Sequence, residues 1–397
     1  MTKTIPDNYN GQYDLNASNE TWNLDQGATI SSAAGHGISE ASFLHDNVIN
    51  VNGGITALSS GSGGVAIQGD GSSVKIGNSG TIDAWHGVEL FGDHQSVVNN
   101  GTINVEGMGL SSLHANNSLI NNGTIKTHAS AMGDVDGMVA DGGNKVVNSA
   151  SGLIDVTGNG LTVQSAGGEV TTVTNFGTVR GDNLSFYGWA GDDKIVNRGV
   201  MDGNIEMNSG DDTFDGVGGS LKGTVMGGFG DDTYIIDKAN FHLAEKPGDG
   251  TDTVQSKVTW TLGKEFENLK LIGSTAINGK GNVLGNDMLG NSKANTLSGL
   301  GGADDLDGGK GNDMLTGGMG ADTFHFSKGE GRDTITDFTN GQDVIDLSHL
   351  SAVSDFSDLM KHHLSVSGHD LVITAGTDHL IIEDTAKSAL DLSDFNF

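Results

Sequence analysis

The sequence contains no cysteine and only two prolines among its 397 residues, and these absences exclude several classes of protein. A chain without cysteine forms neither a disulfide framework nor a thiolate metal site. Collagen is excluded because glycine, although abundant at 64 residues, shows no three-residue period. Only 20 basic residues stand against 51 acidic ones, for a net charge of −31. Nucleic acid and anionic membrane surfaces are therefore not expected partners.

Long apolar runs are missing as well. No stretch of 18 apolar residues occurs, so the sequence predicts no membrane-spanning helix. Residues 1–8 contain no basic stretch followed by an apolar run, and a Sec-type signal peptide is not expected. Disorder is not expected either, because 35% of the residues are apolar and recur at regular intervals.

The first half repeats an N-x-G-T-I phrase, strictly or loosely, at intervals of 21 to 29 residues between its apolar anchors. Copies lie at 78–82, 99–103, 121–125, 150–154, 175–179 and 197–201. Strands this short bury their inner face only when coils stack about 4.8 Å apart, which predicts a right-handed parallel β-solenoid. Glycine and asparagine suit its corners, and equivalent asparagines can form hydrogen-bonded ladders. The competing β-propeller needs blades of about 40–45 residues.

The second half follows a different repeat, G-G-x-G-x-D-x-U-x, where U is a large apolar residue. Full copies lie at 227–235, 308–316 and 317–325, and those at 188–196 and 299–307 differ only at the second position. Glycine lets the turn curl with its carbonyl oxygens inward, and aspartate adds a carboxylate. A hard cation with six to eight oxygen ligands then fits between turns stacked on the same edge. Same-edge turns lie two repeats apart, which is the 18-residue spacing of Asp304 and Asp322.

These repeats resemble the RTX (hemolysin-type) calcium-binding β-roll. The resemblance implies that Ca²⁺ is bound by the aspartate and by the carbonyls of the second and fourth turn residues. The implied metal ligands, including weaker repeat copies at Asp252 and Asp333, are Gly191, Asp193, Asp212, Gly228, Gly230, Asp232, Asp252, Gly302, Asp304, Gly309, Gly311, Asp313, Gly318, Gly320, Asp322 and Asp333. Residues 281–297 are degenerate, with Asn295 in the aspartate position, so full calcium occupancy is not expected there.

The end of the chain carries a further resemblance. The segments at 333–338, 343–348, 371–374, 380–383 and 393–397 are similar to the C-terminal module of serralysin-type proteases and of calcium-dependent alginate epimerases. In that module the uncleaved C-terminal region is the type I secretion signal. The resemblance implies secretion in one step by the type I machinery, an extracellular location and folding driven by calcium. The first half also resembles the β-helical passenger repeats of autotransporter adhesins.

The changes of pattern predict an all-β chain of six segments. These are an N-terminal cap (1–25), a parallel β-helix (26–187), first RTX-like calcium coils (188–236), a β insert (237–277), the RTX β-roll (278–332) and a C-terminal cap with the type I secretion signal (333–397).

No familiar catalytic signature occurs, since H-E-x-x-H, G-x-S-x-G and the P-loop pattern are all absent. A possible ligand groove is predicted at Asp83, Trp85, His86, Glu89 and His94, where histidines recur at coil spacing and Trp85 could stack on a sugar. Solvated histidines at corners are the simpler interpretation of the same residues.

The sequence thus predicts a secreted, calcium-binding solenoid with an extracellular structural, adhesive or polysaccharide-binding role. Its partners would be calcium, the secretion machinery and a polysaccharide or cell surface. Enzymatic activity is not favoured, but a β-helical polysaccharide lyase, hydrolase or epimerase is the first alternative. A secreted toxin or bacteriocin is the second.

Overall fold

A computed structural model of the chain describes residues 1–32, 37–40, 47–57, 65–69, 72–129, 131, 133–164 and 170–397. These residues divide into two compact units, Met1–Phe229 and Gly230–Phe397. Nearly all regular structure is strand. The helical segments of the described residues are short: Phe356–Asp358, Leu359–His363 and Leu392–Asp394. None of the helices in these ranges is long and apolar enough to cross a membrane.

The first unit is a parallel β-solenoid, as the repeats predict, and its coils have three faces. Each strand pairs in parallel with its equivalent one coil away; for example, Ser96–Asn99 pairs residue by residue with Ser118–Asn121. The strands of the first face are Thr2–Thr4, Thr21–Leu24, Val48–Val51, Ser73–Ile76, Ser96–Asn99, Ser118–Asn121, Lys145–Asn148, Thr171–Asn175, Asp193–Asn197 and Thr213–Asp215.

The other two faces of the first unit follow one another closely along the chain. The second face contains Tyr9–Asn10, Thr29–Ser31, Gly54–Ala57, Thr81–Ala84, Thr102–Val105, Thr124–Thr127, Leu153–Val156 and Ser220–Leu221. The third contains Tyr13–Leu15, Ile38–Glu40, Val65–Gly69, His86–Leu90, Met108–Ser112, Asp136–Asp141, Asn159–Gln164 and Thr224–Phe229. Two long strands, Thr178–Tyr187 and Val200–Ser209, run through both faces.

Columns of equivalent side chains fill the interior of this solenoid. The isoleucines of the second face stack in register and are at most 1% exposed: Ile55, Ile82, Ile103, Ile125 and Ile154. Alternation of buried and outward residues along each strand is what places one side chain per coil in such a column.

A ladder of asparagines follows the first face. The Nδ2 of every member except the last donates to the Oδ1 of the next coil's asparagine over 2.8 to 3.0 Å. Its members are Asn99, Asn121, Asn148, Asn175 and Asn197, all at most 1% exposed. The predicted asparagine ladder is therefore confirmed, and it satisfies the buried amides without any outside group.

The second unit is a β-roll with two faces per coil. One face contains Thr233–Ile236, Thr253–Ser256, Asn268–Leu271, Asp287–Leu289, Asp305–Asp307, Thr323–His325, Val344–Asp346 and Phe395–Asn396. The other contains Trp260–Thr261, Gly279–Lys280, Thr296–Gly301, Met314–Met319, Arg332–Ile335 and Asp378–Ile382, and one further short strand is His242–Ala244. Strands Thr253–Ser256 and Asn268–Leu271, within the predicted β insert, belong to the same parallel ladder as the repeats.

An antiparallel hairpin ends the second unit. Leu364–Ser367 and Asp370–Ala375 pair with each other, and Asp370–Ala375 pairs antiparallel with Asp378–Ile382. Asp378–Ile382 in turn lies parallel to Arg332–Ile335. The change of direction stops the parallel stack at this edge.

Candidate calcium sites

The aspartates of the repeats stack in register on the two edges of the second unit. The Asp304 N–H donates to Asp322 Oδ1 over 2.9 Å, and the Asp322 N–H donates to Asp343 Oδ1 over 3.1 Å. On the opposite edge the Asp313 N–H donates to Asp333 Oδ1 over 2.8 Å. The 18-residue spacing of Asp304 and Asp322 therefore places them in adjacent coils, as predicted.

Three of these carboxylates keep one buried oxygen without a hydrogen-bond partner. Asp304, Asp313 and Asp322 are 1 to 2% exposed, and in each the Oδ2 atom contacts no donor. A buried carboxylate oxygen without a donor is costly, whereas a bound cation would satisfy it. A positive charge near these three oxygens would therefore stabilise the folded turns.

Glycine permits the close stacking of these turns. A Cβ on Gly320, whose φ is +149°, would lie 1.4 Å from the Gly302 carbonyl oxygen. A Cβ on Gly318, at φ +106°, would lie 2.3 Å from the Leu300 carbonyl oxygen. Carbonyl oxygens of one turn therefore face the backbone of the next at a distance that no other residue allows.

Burial raises the pKa of the stacked aspartates. Loss of hydration is the largest cause, and it raises the pKa of Asp304 and of Asp313 to about 6. The pKa of Asp333 rises to about 8, with Asp313 and Glu330 adding repulsion, and that of Asp322 rises as well. These carboxylates are poorly stabilised as anions, and a divalent cation would reverse that by supplying the missing countercharge.

The residues present fit calcium. Carboxylate and carbonyl oxygens lie close together in these turns, as Asp304 Oδ2 and the Gly317 carbonyl oxygen do beside Gly299, and oxygens are the ligands that Ca²⁺ prefers. Asp304, Asp313 and Asp322 would hold the ion together with carbonyls of the glycine turns that contain Gly302, Gly309, Gly311, Gly318 and Gly320. The ligand roles of these residues stay predictions.

The earlier repeats show the same stacking of aspartates. In the first unit the Asp193 N–H donates to Asp212 Oδ1 over 2.6 Å, and both residues are at most 2% exposed. In the second unit the Asp232 N–H donates to Asp252 Oδ1 over 2.9 Å. The glycines predicted with them, Gly191, Gly228 and Gly230, all have positive φ values between 102° and 124°.

A glutamate that the repeats do not predict lies beside Asp232 and Asp252. Oxygens of Asp232, Glu245 and Asp252 all lie within 4.8 Å of one another. Glu267 accepts the Asp252 N–H over 2.8 Å, and burial raises the pKa of Asp252 to about 6. Neither glutamate occupies a nonapeptide position, so no spacing in the sequence indicates it.

Backbone N–H groups of the last turns of the second unit donate hydrogen bonds to buried carboxylates. Asp343 accepts the Asp322 N–H at Oδ1 and the Thr339 N–H at Oδ2, the latter over 2.7 Å. Asp378 accepts the Gly329 N–H over 2.9 Å, and the fully buried Asp394 accepts the Gly341 N–H over 2.9 Å. These carboxylates cap the stack, a role that the sequence pattern does not reveal.

Three residues of the predicted ligand groove, Trp85, His86 and Glu89, lie together in the structure. The rings of Trp85 and His86 lie 6.4 Å apart, and His86 Nδ1 pairs with Glu89 Oε1. Asp83 instead accepts the Asn104 amide over 2.5 Å and lines an open depression with Lys126. His94 is exposed in a turn with φ of 60°.

Asp83 begins a row of outward side chains in which acids and bases alternate. The row continues in register through Asn104, Lys126, Asp155, Arg180 and Asp202. Arg180 contacts Asp155 over 3.4 Å and Asp202 over 3.3 Å. Alternation lets neighbouring coils neutralise one another, unlike the aspartate stacks of the repeats.

Parts of this chain are similar in sequence to known proteins. Residues 289–324 match the family model of the RTX calcium-binding nonapeptide repeat, with four copies. Over 178 residues the chain is 38% identical to the endo-1,3-1,4-beta-glycanase EglC of Rhizobium meliloti. That match covers 45% of this chain and 36% of the glycanase, so the chain spans little more than a third of the length of this curated relative.

Two solved structures are similar over part of the chain. The AlgE6R3 subunit of the Azotobacter vinelandii mannuronan C5-epimerase has a TM-score of 0.29 and 28% identity, covering 34% of this chain and 85% of that one. The extracellular lipase LipA of Serratia marcescens has a TM-score of 0.27 and 17% identity, covering 64% of this chain and 45% of the lipase.

Proposed function

Since residues 289–324 are RTX calcium-binding nonapeptide repeats, we propose that the protein is a secreted calcium-binding solenoid whose second unit folds when it meets calcium outside the cell. The carrying observation is the set of buried, unpartnered Oδ2 atoms of Asp304, Asp313 and Asp322. The folded turns hold these oxygens close to carbonyl oxygens, and a cation removes the repulsion.

Calcium binding would then supply folding free energy directly. The unfolded chain has no preformed site, so any affinity of the stacked turns for Ca²⁺ favours the folded state. A chain with a net charge of −31 gains additionally from each divalent cation, because its self-repulsion falls. Low calcium inside the cell and high calcium outside would keep the second unit unfolded until after export.

Export itself is proposed to use the type I machinery. The support is the resemblance of segments within 333–397 to the C-terminal module of secreted RTX proteins. An unfolded second unit inside the cell is compatible with passage through a narrow channel.

The role outside the cell is proposed to be structural or adhesive, with a polysaccharide or cell surface as partner. The similarity to a glycanase over 178 residues supports a polysaccharide as the partner class. The regular coil spacing of outward side chains on the first unit also suits a polymer with repeating sugars.

Calcium-dependent folding is tested by far-UV circular dichroism of the full chain in calcium, in magnesium and in chelator. We expect β-structure to increase on addition of calcium and much less with magnesium, which prefers a smaller octahedral site. A triple variant of Asp304→Ala, Asp313→Ala and Asp322→Ala should lose this response. Identical spectra in calcium and chelator for the natural chain would refute the proposal.

A polysaccharide-modifying enzyme is the second candidate function. Its one specific support is the 38% identity to the Rhizobium meliloti glycanase. The test is incubation of the calcium-loaded chain with mixed-linkage β-glucan and with alginate, followed by mass spectrometry of the products. New oligosaccharides would establish catalysis, and intact polymer that retains the protein would favour binding alone.

A further inference from the structure

Two turns of the second unit carry asparagine where the repeat has its second glycine and its aspartate. They read G-N-V-L-G-N at 281–286 and G-N-S-K-A-N at 290–295, nine residues apart like the repeats that follow. We refer to them as the two-asparagine turns. The second lies inside the segment that matches the RTX family model, so similarity alone groups it with the calcium-binding turns.

In the first of these turns the side-chain amides donate to carbonyls of the preceding coil. Asn282 Nδ2 donates to the carbonyl oxygens of Gly263 and Phe266 over 2.6 and 2.7 Å. Asn286 Nδ2 donates to those of Phe266 and Glu267 over 3.0 and 3.1 Å. Each of the two amide groups thus donates two hydrogen bonds to backbone carbonyl oxygens of the preceding coil.

The second turn repeats the arrangement one half-coil later. Asn291 Nδ2 donates to the carbonyl oxygens of Gly273 and Thr275 over 2.8 and 2.9 Å. Asn295 Nδ2 donates to that of Ile277 over 2.5 Å. The same side-chain type therefore meets the same kind of partner on both edges of the roll.

The amide oxygens of these turns are satisfied as well. Asn286 Oδ1 accepts the Asn282 N–H over 2.8 Å, and Asn295 Oδ1 accepts the Asn291 N–H over 2.8 Å. In Asp313, by contrast, Oδ2 is buried and contacts no donor. The two-asparagine turns thus have a donor for each of these amide oxygens, whereas the turn that contains Asp313 has a carboxylate oxygen without one.

We propose that the asparagine amides replace the cation, so that each two-asparagine turn closes against its preceding coil without metal. An NH₂ group directs two protons at the carbonyl oxygens that an ion would otherwise coordinate, and it adds no net charge. This inference rests on the proposed function, in which calcium closes the aspartate turns. It divides the roll into a metal-free section at 281–295 and a calcium-dependent section from Asp304 to Asp322.

The test is the number of tightly bound calcium ions per full chain, measured by equilibrium dialysis at saturating calcium. Asn295→Ala should leave that number unchanged, whereas Asp313→Ala, one coil away on the same edge, should lower it by at least one. A loss in Asn295→Ala equal to that in Asp313→Ala would overturn the inference. If Asn295→Ala does not fold, as judged by circular dichroism, Asn291→Ser supplies the same comparison with a milder change.

A gain of binding provides the complementary test. The fourth position of this turn is Lys293, where the repeat has glycine. The triple variant Asn291→Gly, Lys293→Gly and Asn295→Asp restores both glycines and the aspartate of the repeat, and it should bind at least one additional ion. The double variant Asn291→Gly with Lys293→Gly is its matched control and should bind none. A folded triple variant that binds no additional ion would contradict the proposal that the side chains of this turn decide metal binding.

The natural chain separates failure of this inference from failure of the proposed function. A natural chain that binds no calcium refutes the proposed function, and the variants then need no interpretation. A natural chain that binds calcium but loses ions in Asn295→Ala refutes only the amide replacement.

Discussion

The two units stabilise stacked coils with side chains that differ by a single group. In the first unit Asn121 and Asn148 each offer an amide donor and an acceptor, so each ladder contact satisfies the next. In the second unit Asp304 and Asp322 offer only acceptors, and the backbone N–H of the preceding coil satisfies one oxygen of each. The asparagine ladder is complete within the chain, whereas the Asp304–Asp322 stack leaves one oxygen of each carboxylate without a donor. If the proposed calcium binding holds, replacing NH₂ by oxygen makes a structural corner dependent on the calcium concentration around it.

The largest expected effect that would break this comparison is removal of calcium. We expect backbone amides of 299–325 to exchange in chelator at rates near those of an unfolded chain, because the aspartate turns repel one another. Amides of the ladder strands Ser96–Asn99, Ser118–Asn121 and Lys145–Asn148 should keep their protection, because the asparagine ladder there contains no charge. Hydrogen exchange of the full chain, read by mass spectrometry, measures both regions in one sample. Equal loss in both would show that the first unit depends on the second.

A carboxylate placed in the asparagine ladder should have the next largest effect. Asn148 is 1% exposed, donates to Asn175 and accepts from Asn121. Asn148→Asp removes the donor and sets an anion against the Asn175 oxygen, which should cost at least about 3 kcal/mol of unfolding free energy. Calcium should not restore the loss, because this corner lacks the glycine turn.

The control for that substitution is Asn122→Asp, on the half-buried row beside the ladder. Its side chain donates to Asn100 over 2.9 Å but faces partly outward. We expect a loss of well under half that of Asn148→Asp in denaturant titrations. Recovery of Asn148→Asp by calcium would mean that glycine turns are not required for a cation to bind.

The pH dependence of the second unit should change sign with calcium. In chelator the folded pKa of Asp313, about 6, exceeds the ordinary aspartate value of about 3.9, so folding takes up protons. This contribution is fully present below about pH 4 and is lost as the pH rises through about 6, and through about 8 for Asp333.

With calcium present, protons compete for the same oxygens. The calcium concentration at the folding midpoint should therefore rise as the pH falls below about 6, while folding in chelator improves over that range. Circular dichroism titrations at pH 5, 6, 7 and 8 check both trends. A calcium midpoint that does not change with pH would show that the raised aspartates do not hold the ion.

The smallest expected effect concerns the alternating charges on the outside of the first unit. Arg180→Gln removes the contacts to Asp155 and Asp202, which are solvent-exposed and screened by salt. We expect a small loss of thermal stability at low ionic strength that disappears in high salt. A large loss that persists in salt would show that the outer row, and not the ladder, holds the coils.

Strict repetition is what made parts of this molecule predictable. The nine-residue period placed Asp304 and Asp322 in adjacent coils, and the recurring N-x-G-T-I phrase predicted the asparagine ladder. Glu245 and Glu267 could not be found in this way, because they reach the aspartates from irregular segments. Asp378 and Asp394 likewise act on turns 47 to 53 residues earlier in the chain, where no repeat relates them.

The predicted ligand groove shows what closeness in sequence, without a repeat, can and cannot predict. His86 and Glu89 are close in sequence and do pair, but the side chain of Asp83 lies in a different row and contacts Asn104. Asp83 is instead in register with Asn104 of the next coil, a neighbour that closeness in sequence does not indicate. Only residues one coil apart, which pair in register, could be matched from spacing.

The two edges of the roll also restrict how such a chain can change length in evolution. Asp304, Asp322 and Asp343 form one edge, and Asp313 and Asp333 form the other. A duplication of residues 308–316 would move every later strand to the opposite face and separate Thr323–His325 from Asp305–Asp307. A duplicated stretch of 18 residues would keep every later strand on its own face. Descendants of this sequence should therefore differ by whole coils, although the motif itself is half a coil long.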